Sequence, residues 1–261
     1  FRLVADENIP GEIAGLITSD NVVGWFQGRM EFGPRALGSR SIVGDARSPK
    51  MQEIMNLKIK FRESFRPFAP SVMEDRVGEI FDTEGASPYM LLVANVREDK
   101  LTPMDDEKIA ADLDSIREKL KQEIAKLKAQ GRDPEAEKIE SLIDNRDYLR
   151  FRAIINQSRS VVPAITHVNY SARLQTVNEK DNALYYRMIK SVYEKTEVPV
   201  IINTSFNIRG EPIVCSPKDA FMTFLHTDMD YLIMGNYLVA KSDFDVDLEE
   251  RRRYLNKYEL D

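Results

Sequence analysis

The residues best suited to chemistry fall in two stretches. Residues 24–38 read Gly-Trp-Phe-Gln-Gly-Arg-Met-Glu-Phe-Gly-Pro-Arg-Ala-Leu-Gly, and residues 58–70 read Lys-Ile-Lys-Phe-Arg-Glu-Ser-Phe-Arg-Pro-Phe-Ala-Pro. The chain carries a formal net charge of -6, yet here cations sit among glycines, prolines and aromatics. Glycine lets the backbone approach a ligand closely. Arginine offers a rigid fork of donors that matches phosphate and carboxylate oxygens. Arg35 stands between Pro34 and the Gly38 turn, and Arg66 directly precedes Pro67, so stiff backbone would hold both guanidinium groups. The mixture predicts a pocket for an anionic small molecule. The competing reading is surface ion pairing with Glu31, Asp45, Glu63 or Glu211. For any single cation the two readings weigh equally; for the whole set, which includes Arg173 and Arg209, ion pairing is the weaker.

A third stretch, residues 203–212, reads Asn-Thr-Ser-Phe-Asn-Ile-Arg-Gly-Glu-Pro after the apolar run 198–202. Short hydroxyl and amide groups at the carboxyl end of a central strand lie where α/β sheets usually bind ligands. Turn chemistry explains the same residues equally well. Other chemistries lack their signatures. There is no phosphate-binding loop of the G-x-x-x-x-G-K-[ST] type and no G-x-G-x-x-G. Neither His167 nor His226 has a partner at metal-ligand spacing, so no zinc or iron site is expected within the chain. Cys215, the only cysteine, is expected to be a small buried residue, and it excludes an intramolecular disulfide framework.

The elements that must position these residues follow from periodicity and punctuation. Helices are predicted over 9–19 and 182–195 from apolar residues at three- and four-residue steps. Ser48-Pro49 and Ser216-Pro217 each pair an N-cap residue with a proline at the first helical position. Strands are predicted over 22–26, 71–73, 161–165, 172–177, 198–202 and 231–240. Residues 98–145 are highly charged, with Ile109, Leu113, Ile116, Leu120, Ile124 and Leu127 on one stripe and a break at Gly131-Arg132-Asp133-Pro134. They predict an inserted helical hairpin whose charges are mostly a solvated face. The domains are therefore a linker and first helix (1–20), a main α/β domain (21–242) carrying the 98–145 insertion, and a charged, peripheral tail (243–261). Of the 261 residues 43% are hydrophobic, as in an ordinary globular protein. The acidic balance argues against nucleic-acid and membrane-surface binding, and no apolar run approaches ~20 residues. A cytoplasmic protein is expected. The first residue is Phe1 rather than Met, which suggests a piece of a longer chain.

The same segments resemble the C-terminal domain of O-carbamoyltransferases of the NodU/CmcH type, which act in nodulation-factor, cephalosporin and tobramycin modification. The resemblance rests on residues 24–38, on Lys60-Phe61-Arg62-Glu63 with Phe65-Arg66-Pro67-Phe68-Ala69-Pro70, and on Thr166-His167-Val168 with residues 172–177. It continues through Asn203-Thr204-Ser205-Phe206-Asn207 and Arg209-Gly210-Glu211-Pro212-Ile213. It implies a YrdC-like domain, an open twisted mixed sheet with flanking helices. Its cationic cavity would take carbamoyl phosphate and ATP and release carbamoyl-adenylate, phosphate and pyrophosphate. Arg35, Lys60 and Arg66 would be the catalytic cations. His167, Arg173, Ser205 and Asn207 would join them in binding substrate and nucleotide. Mg²⁺ would accompany ATP. The family's histidine-ligated metal and its acceptor site lie in an N-terminal domain of the actin/hexokinase-like superfamily, which this sequence does not contain. That domain would be the partner that completes transfer to an acceptor hydroxyl. Two other functions stay open: threonylcarbamoyl-adenylate synthesis linked to tRNA modification, and a nucleotide-binding regulatory module.

Overall fold

A computed structural model describes residues 1–62, 66–103 and 105–258, without the side chains of residues 151, 152, 155 and 156. Two compact units are present, Phe1–Leu101 with Ser160–Asp261, and Thr102–Arg159. Among the described residues the larger unit holds ten strands: β1 (Arg2–Leu3), β2 (Val23–Phe26), β3 (Arg40–Asp45), β4 (Ala69–Met73), β5 (Val93–Asn95), β6 (Ser171–Arg173), β7 (Gln175–Val177), β8 (Val200–Ser205), β9 (Tyr231–Met234) and β10 (Tyr237–Ala240). Eight of them form one sheet in the order β1-β10-β9-β2-β3-β8-β4-β7, and β5 pairs with β6 apart. The large sheet is mixed: β2 with β9 and β4 with β7 run parallel, and the other pairs antiparallel.

Successive residues of a strand face opposite sides, so a strand apolar at consecutive positions must be covered on both. That is the case at the centre. Ile42, Ile202 and Leu232 join one apolar cluster, while their neighbours Val43, Ile201 and Ile233 join another. The second cluster is closed by α1 (Ile9–Thr18) and α6 (Ala183–Thr196), through Ile9, Ile13 and Ile17 and through Tyr185, Met188, Ile189 and Val192. The first is closed by α2 (Met51–Met55) and α7 (Pro217–His226), through Met51, Met55, Ala220 and Phe224. Asn182 caps α6 by accepting from the Tyr185 amide, and Ser216 with Asp219 forms a capping box on α7. The mixed α/β class expected from sequence is the class observed.

Several elements depart from expectation. Ser48-Pro49 does not open α2. The Met51 amide donates to the Ser48 carbonyl at 3.2 Å, so a turn precedes a helix that begins at Met51. Residues 161–165 are not a strand; Pro163–Ile165 is a single 3₁₀ turn, because proline offers no ladder N–H. Residues 231–240 are a hairpin, folded at Gly235 with φ +54°. Strand β8 extends through Ser205, so Asn203 to Ser205 belong to the sheet and not to the loop. Cys215 is exposed.

The smaller unit has three helices rather than a hairpin: α3 (Asp106–Ala129), α4 (Asp133–Ile143) and α5 (Arg146–Asn156). The α3 stripe serves two partners. Ile109 and Ile116 meet Leu149 and Ala153 of α5, and Ile124 and Leu127 meet Ala136 and Ile139 of α4. The insertion thus runs past residue 145 to Arg159.

Candidate active site

The Gly-rich connection between β2 and β3 is held by two charged side chains turned on its own backbone. The Glu31 carboxylate accepts from the Leu37 and Ser39 amides, each at 2.7 Å. The Arg40 guanidinium, 4% exposed, donates to the carbonyls of Gln27, Gly28 and Ser39 and lies over the Phe26 ring at 3.6 Å. Gly38 adopts φ +106°, and an added Cβ there would come within 2.5 Å of the Tyr185 ring. Its carbonyl accepts from the Trp25 indole at 2.8 Å. Glu31 is therefore committed to backbone, and Asp45 is committed to Arg47 at 2.6 Å. Glu63, a third carboxylate considered as an ion-pair partner, lies outside the described residues.

The connection fixed in this way puts Arg35 on the wall of a cavity of ≈ 180 Å³. Arg62, Arg173, Pro67, Phe68, Asn203 and Ser205 also line it, and among the described residues no carboxylate does. Neither Arg35 nor Arg173 makes a side-chain hydrogen bond or ion pair among the described residues. Burial first, and then the like charge of Arg35, pull the Arg173 guanidinium below its ordinary pKa. Arg62 lies over the Phe68 ring at 4.8 Å and donates to Asn56 Oδ1 at 2.6 Å. Asn56 belongs to a π-helical turn, Asn56–Lys60, that continues α2 and ends at Phe61 with φ +48°. Such turns are a rare way to re-aim side chains and are frequent at functional sites.

Lys60 closes that turn. Its ammonium, 5% exposed, does not line the cavity. It donates to the Ser205 carbonyl at 2.5 Å, to the Asn207 carbonyl at 2.8 Å and to Asn207 Oδ1 at 2.9 Å. Burial, and next the charge of Arg62, push its pKa down to about 7. Ser205 donates to Asn207 Oδ1 at 2.7 Å, and Asn207 Nδ2 donates to the Glu211 carbonyl at 2.6 Å. Lys60, Ser205 and Asn207 are thus one bonded cluster behind the cavity, and Ser205 alone of the three reaches its wall.

The remaining residues expected at the site are placed less closely. Arg66 is exposed, and its carbonyl accepts from Asn56 Nδ2 at 2.8 Å; the next residue, Pro67, lines the cavity but Arg66 does not. His167 lines an adjoining cavity of ≈ 320 Å³ that shares Pro67, Phe68, Ala69 and Arg173 with the first. Its Nδ1 contacts Asn169 Oδ1 at 2.9 Å. The most spacious cavity, ≈ 830 Å³, has Asp82, Glu98 and Asp99 against Arg97 and is a poor host for an anion.

Two further residues emerge only in three dimensions. Arg62 was visible as a cation but not as a site residue. Asn203 is 1% exposed, and its Nδ2 donates to the Ala36 carbonyl at 3.0 Å and to Gln175 Oε1 at 2.8 Å. The Ala36 carbonyl can only accept, so the amide orientation is fixed. Asn203 Oδ1 is left buried without a partner, at a residue lining the cavity. Buried polar atoms are nearly always satisfied, so this oxygen calls for a donor that the described residues do not supply. Among the described residues no group of three or more His, Cys, Asp or Glu side chains could hold a metal ion, and no helix is long and apolar enough to cross a membrane.

Comparison with known proteins gives this site a family. Residues 14–241 match the family described as Carbamoyltransferase C-terminus. The chain belongs to that family. Its relatives include an uncharacterized protein of Synechocystis, 44% identical over the whole chain and 36% of the relative's length. Nodulation protein NolO of Bradyrhizobium diazoefficiens is 35% identical over 90% of the chain and 33% of its own length. Nodulation protein U of Sinorhizobium fredii is 31% identical over 76% of the chain and 25% of its own length. The chain spans about a quarter to a third of the length of the curated relatives it matches. In the carbamoyltransferase C-terminus fold as found here, the cationic cavity opens beside the carboxyl end of central strand β8.

Proposed function

We propose that the chain is the carbamoyl-activating part of an O-carbamoyltransferase and that its cavity takes carbamoyl phosphate and ATP. The observation that carries the reading is the set Arg35, Arg62 and Arg173 around one space, with no carboxylate among the described residues of its wall, beside the orphan acceptor of Asn203. Three guanidinium groups suit phosphate oxygens. The uncharged acceptor suits a ligand that also carries N–H, as the carbamoyl group does. Few anions of this size offer both.

In this reading water releases phosphate from carbamoyl phosphate and leaves carbamate. A carbamate oxygen attacks the α-phosphorus of ATP, pyrophosphate departs, and carbamoyl-adenylate results. Such transfers need charge neutralisation and alignment more than a protein nucleophile. The smaller cavity fits the reacting anions, and the adjoining ≈ 320 Å³ beside His167 leaves room for the nucleoside. Among the described residues no carboxylate on the cavity wall offers Mg²⁺ a ligand, and no step is assigned to the metal. Transfer to an acceptor hydroxyl belongs to an N-terminal, actin/hexokinase-like domain of the parent protein.

Calorimetry with carbamoyl phosphate and with ATP tests the reading, paired with pyrophosphate release when both are present. Wild type should bind each. Asn203→Leu should lose carbamoyl phosphate far more than inorganic phosphate, since only the former carries the N–H. No binding of either substrate at millimolar concentration would remove the reading.

A further inference from the structure

One buried carboxylate beside this site has no part in the chemistry above. Glu211 is 7% exposed and follows Gly210, whose φ of +77° turns the chain back on itself. Its Oε2 accepts from the Ile208 amide at 2.8 Å, and its Oε1 accepts from the Thr223 hydroxyl of α7 at 2.8 Å. Its main-chain carbonyl is the one that anchors Asn207 Nδ2. A third donor to the carboxylate comes from the segment expected to be a peripheral tail. Helix α8 (Leu248–Asn256) brings the Tyr254 hydroxyl onto Glu211 Oε1. The helix is seated there: the Tyr254 ring stacks on His226 with centroids 4.2 Å apart, and Arg251 pairs with Asp228 at 2.8 Å.

We infer that Glu211 is a positioning residue, the counter-charge of the buried Lys60 ammonium, and that the C-terminal helix orients it through the Tyr254 hydroxyl. The inference rests on reading the Ser205–Asn207 turn as part of the ATP site. The direct partners of Lys60 are carbonyl, amide and hydroxyl groups, all neutral. A buried cation without an anion nearby tends to lose its proton. Asn207 ties Glu211 to Lys60: its Oδ1 accepts from the ammonium at 2.9 Å, and its Nδ2 donates to the Glu211 carbonyl at 2.6 Å. Beside that link, the charge of Arg62 disfavours the ammonium and that of Glu211 favours it. From α7 comes the neutral Thr223. From α8 comes Tyr254, whose phenol is pushed up by burial and by Glu211 and so remains a donor. Glu211 thus holds the Ser205–Asn207 turn by its backbone, and its carboxylate favours the charge of the lysine bonded to that turn. Helix α8 fixes where that carboxylate points.

The test follows the proton on Lys60 directly. Lysine labelled with ¹³C at Cε is titrated by NMR in the ligand-free chain, with Lys60→Arg to assign the signal. Wild type should show a midpoint near about 7. Glu211→Gln keeps the shape and removes the charge; its midpoint should fall by about one pH unit, a tenfold loss of proton affinity. Tyr254→Phe removes one hydroxyl only and should move the midpoint the same way by less. Equal midpoints in wild type and Glu211→Gln overturn the inference. If Glu211→Gln does not fold, Tyr254→Phe decides alone, and an unmoved midpoint there overturns it. ATP titrations across pH 6–8 are the second arm. Wild-type affinity should fall as Lys60 deprotonates, and the fall should lie at lower pH in Glu211→Gln. Shifted midpoints with no ATP binding in any variant would defeat the nucleotide reading and leave the Glu211–Lys60 coupling standing. ATP affinity identical at every pH in both proteins, despite shifted midpoints, would defeat the positioning role.

Discussion

Arg173→Gln separates a ligand-binding arginine from a structural one, because the two roles predict opposite signs in two measurements. Arg173 ends β6, makes no side-chain hydrogen bond among the described residues, and faces the like charge of Arg35 across the cavity. Without ligand, its removal relieves a repulsion and breaks no side-chain hydrogen bond or ion pair among the described residues, so the melting temperature of the variant should stay level or rise. With ligand the balance reverses. A hydrogen bond to a charged group is worth about 1.5–3 kcal/mol, so affinity for carbamoyl phosphate should fall about 10- to 150-fold. At a ligand concentration of about 100 wild-type Kd, wild type gains about 2.7 kcal/mol of stability. The variant then gains only about 0.3–1.4 kcal/mol. For a folding unit of this size each kcal/mol moves the melting temperature by roughly 2–4 °C, so wild type should rise by about 5–10 °C and the variant by about 1–5 °C. Differential scanning calorimetry with and without carbamoyl phosphate reads both signs. A lowered melting temperature in the free variant, together with an unchanged ligand-induced rise, would refute the reasoning and make Arg173 a structural residue.

Three further outcomes follow from the geometry. Burial lowers the pKa of Lys60, so between about 7 and the ordinary 10.5 the unfolded chain holds more protons than the folded one; Lys60 therefore contributes a rise in stability with pH across that window. Lys60→Met should flatten the rise in urea titrations taken across it, and an unchanged pH dependence would contradict the buried ammonium. Gly38→Ala should cost roughly 2–4 kcal/mol, from a residue forced to positive φ and a Cβ driven against Tyr185, and a melt within experimental error of wild type would show the turn to be pliable. Leu101 and Ser160 are bridged across the base of the inserted unit, so replacing residues 102–159 with a short Gly/Ser linker should leave a cooperative melt and wild-type ATP affinity; a folded variant that binds no ATP would tie the insertion to the site.

What the sequence disclosed depended on whether a signal was local. Helices α1 and α6 carry apolar stripes, α7 opens on an explicit Ser-Pro cap, and β8 is a continuous apolar run, so all four were legible. Strand β3 was not. It reads Arg-Ser-Ile-Val-Gly-Asp, with charge at both ends, yet every residue is buried because Arg40 and Asp45 spend their charges on backbone carbonyls and on Arg47. The C-terminal helix looked peripheral because its composition is charged, and only the fold reveals that Tyr254 reaches a buried carboxylate. The same division applies to the site. Rigid, motif-borne Arg35 was readable, and so was the association of Lys60 with Ser205 and Asn207 in one region. The orphan oxygen of Asn203 was not, since it arises from a network in which Gln175, Ala36 and Ser71 use up every other bond.

The distribution of charge explains how an acidic chain keeps a cationic cavity open. An arginine left near a carboxylate in a loop forms an ion pair, and the cavity would then neutralise itself. Here the nearby carboxylates are spent first. Glu31 takes the amides of Leu37 and Ser39, Asp45 takes Arg47, and Glu211 takes the Ile208 amide with two hydroxyls. Two of them also fix segments that frame the cavity: Glu31 the one bearing Arg35, and Glu211 the one following Ser205. Among the described residues, carboxylates that could have quenched the guanidinium groups thus hold parts of the protein in place instead. Arg35 and Arg173 are left with like charges beside one cavity. In the proposed reading, that arrangement costs stability in the free protein and returns it when an anion binds.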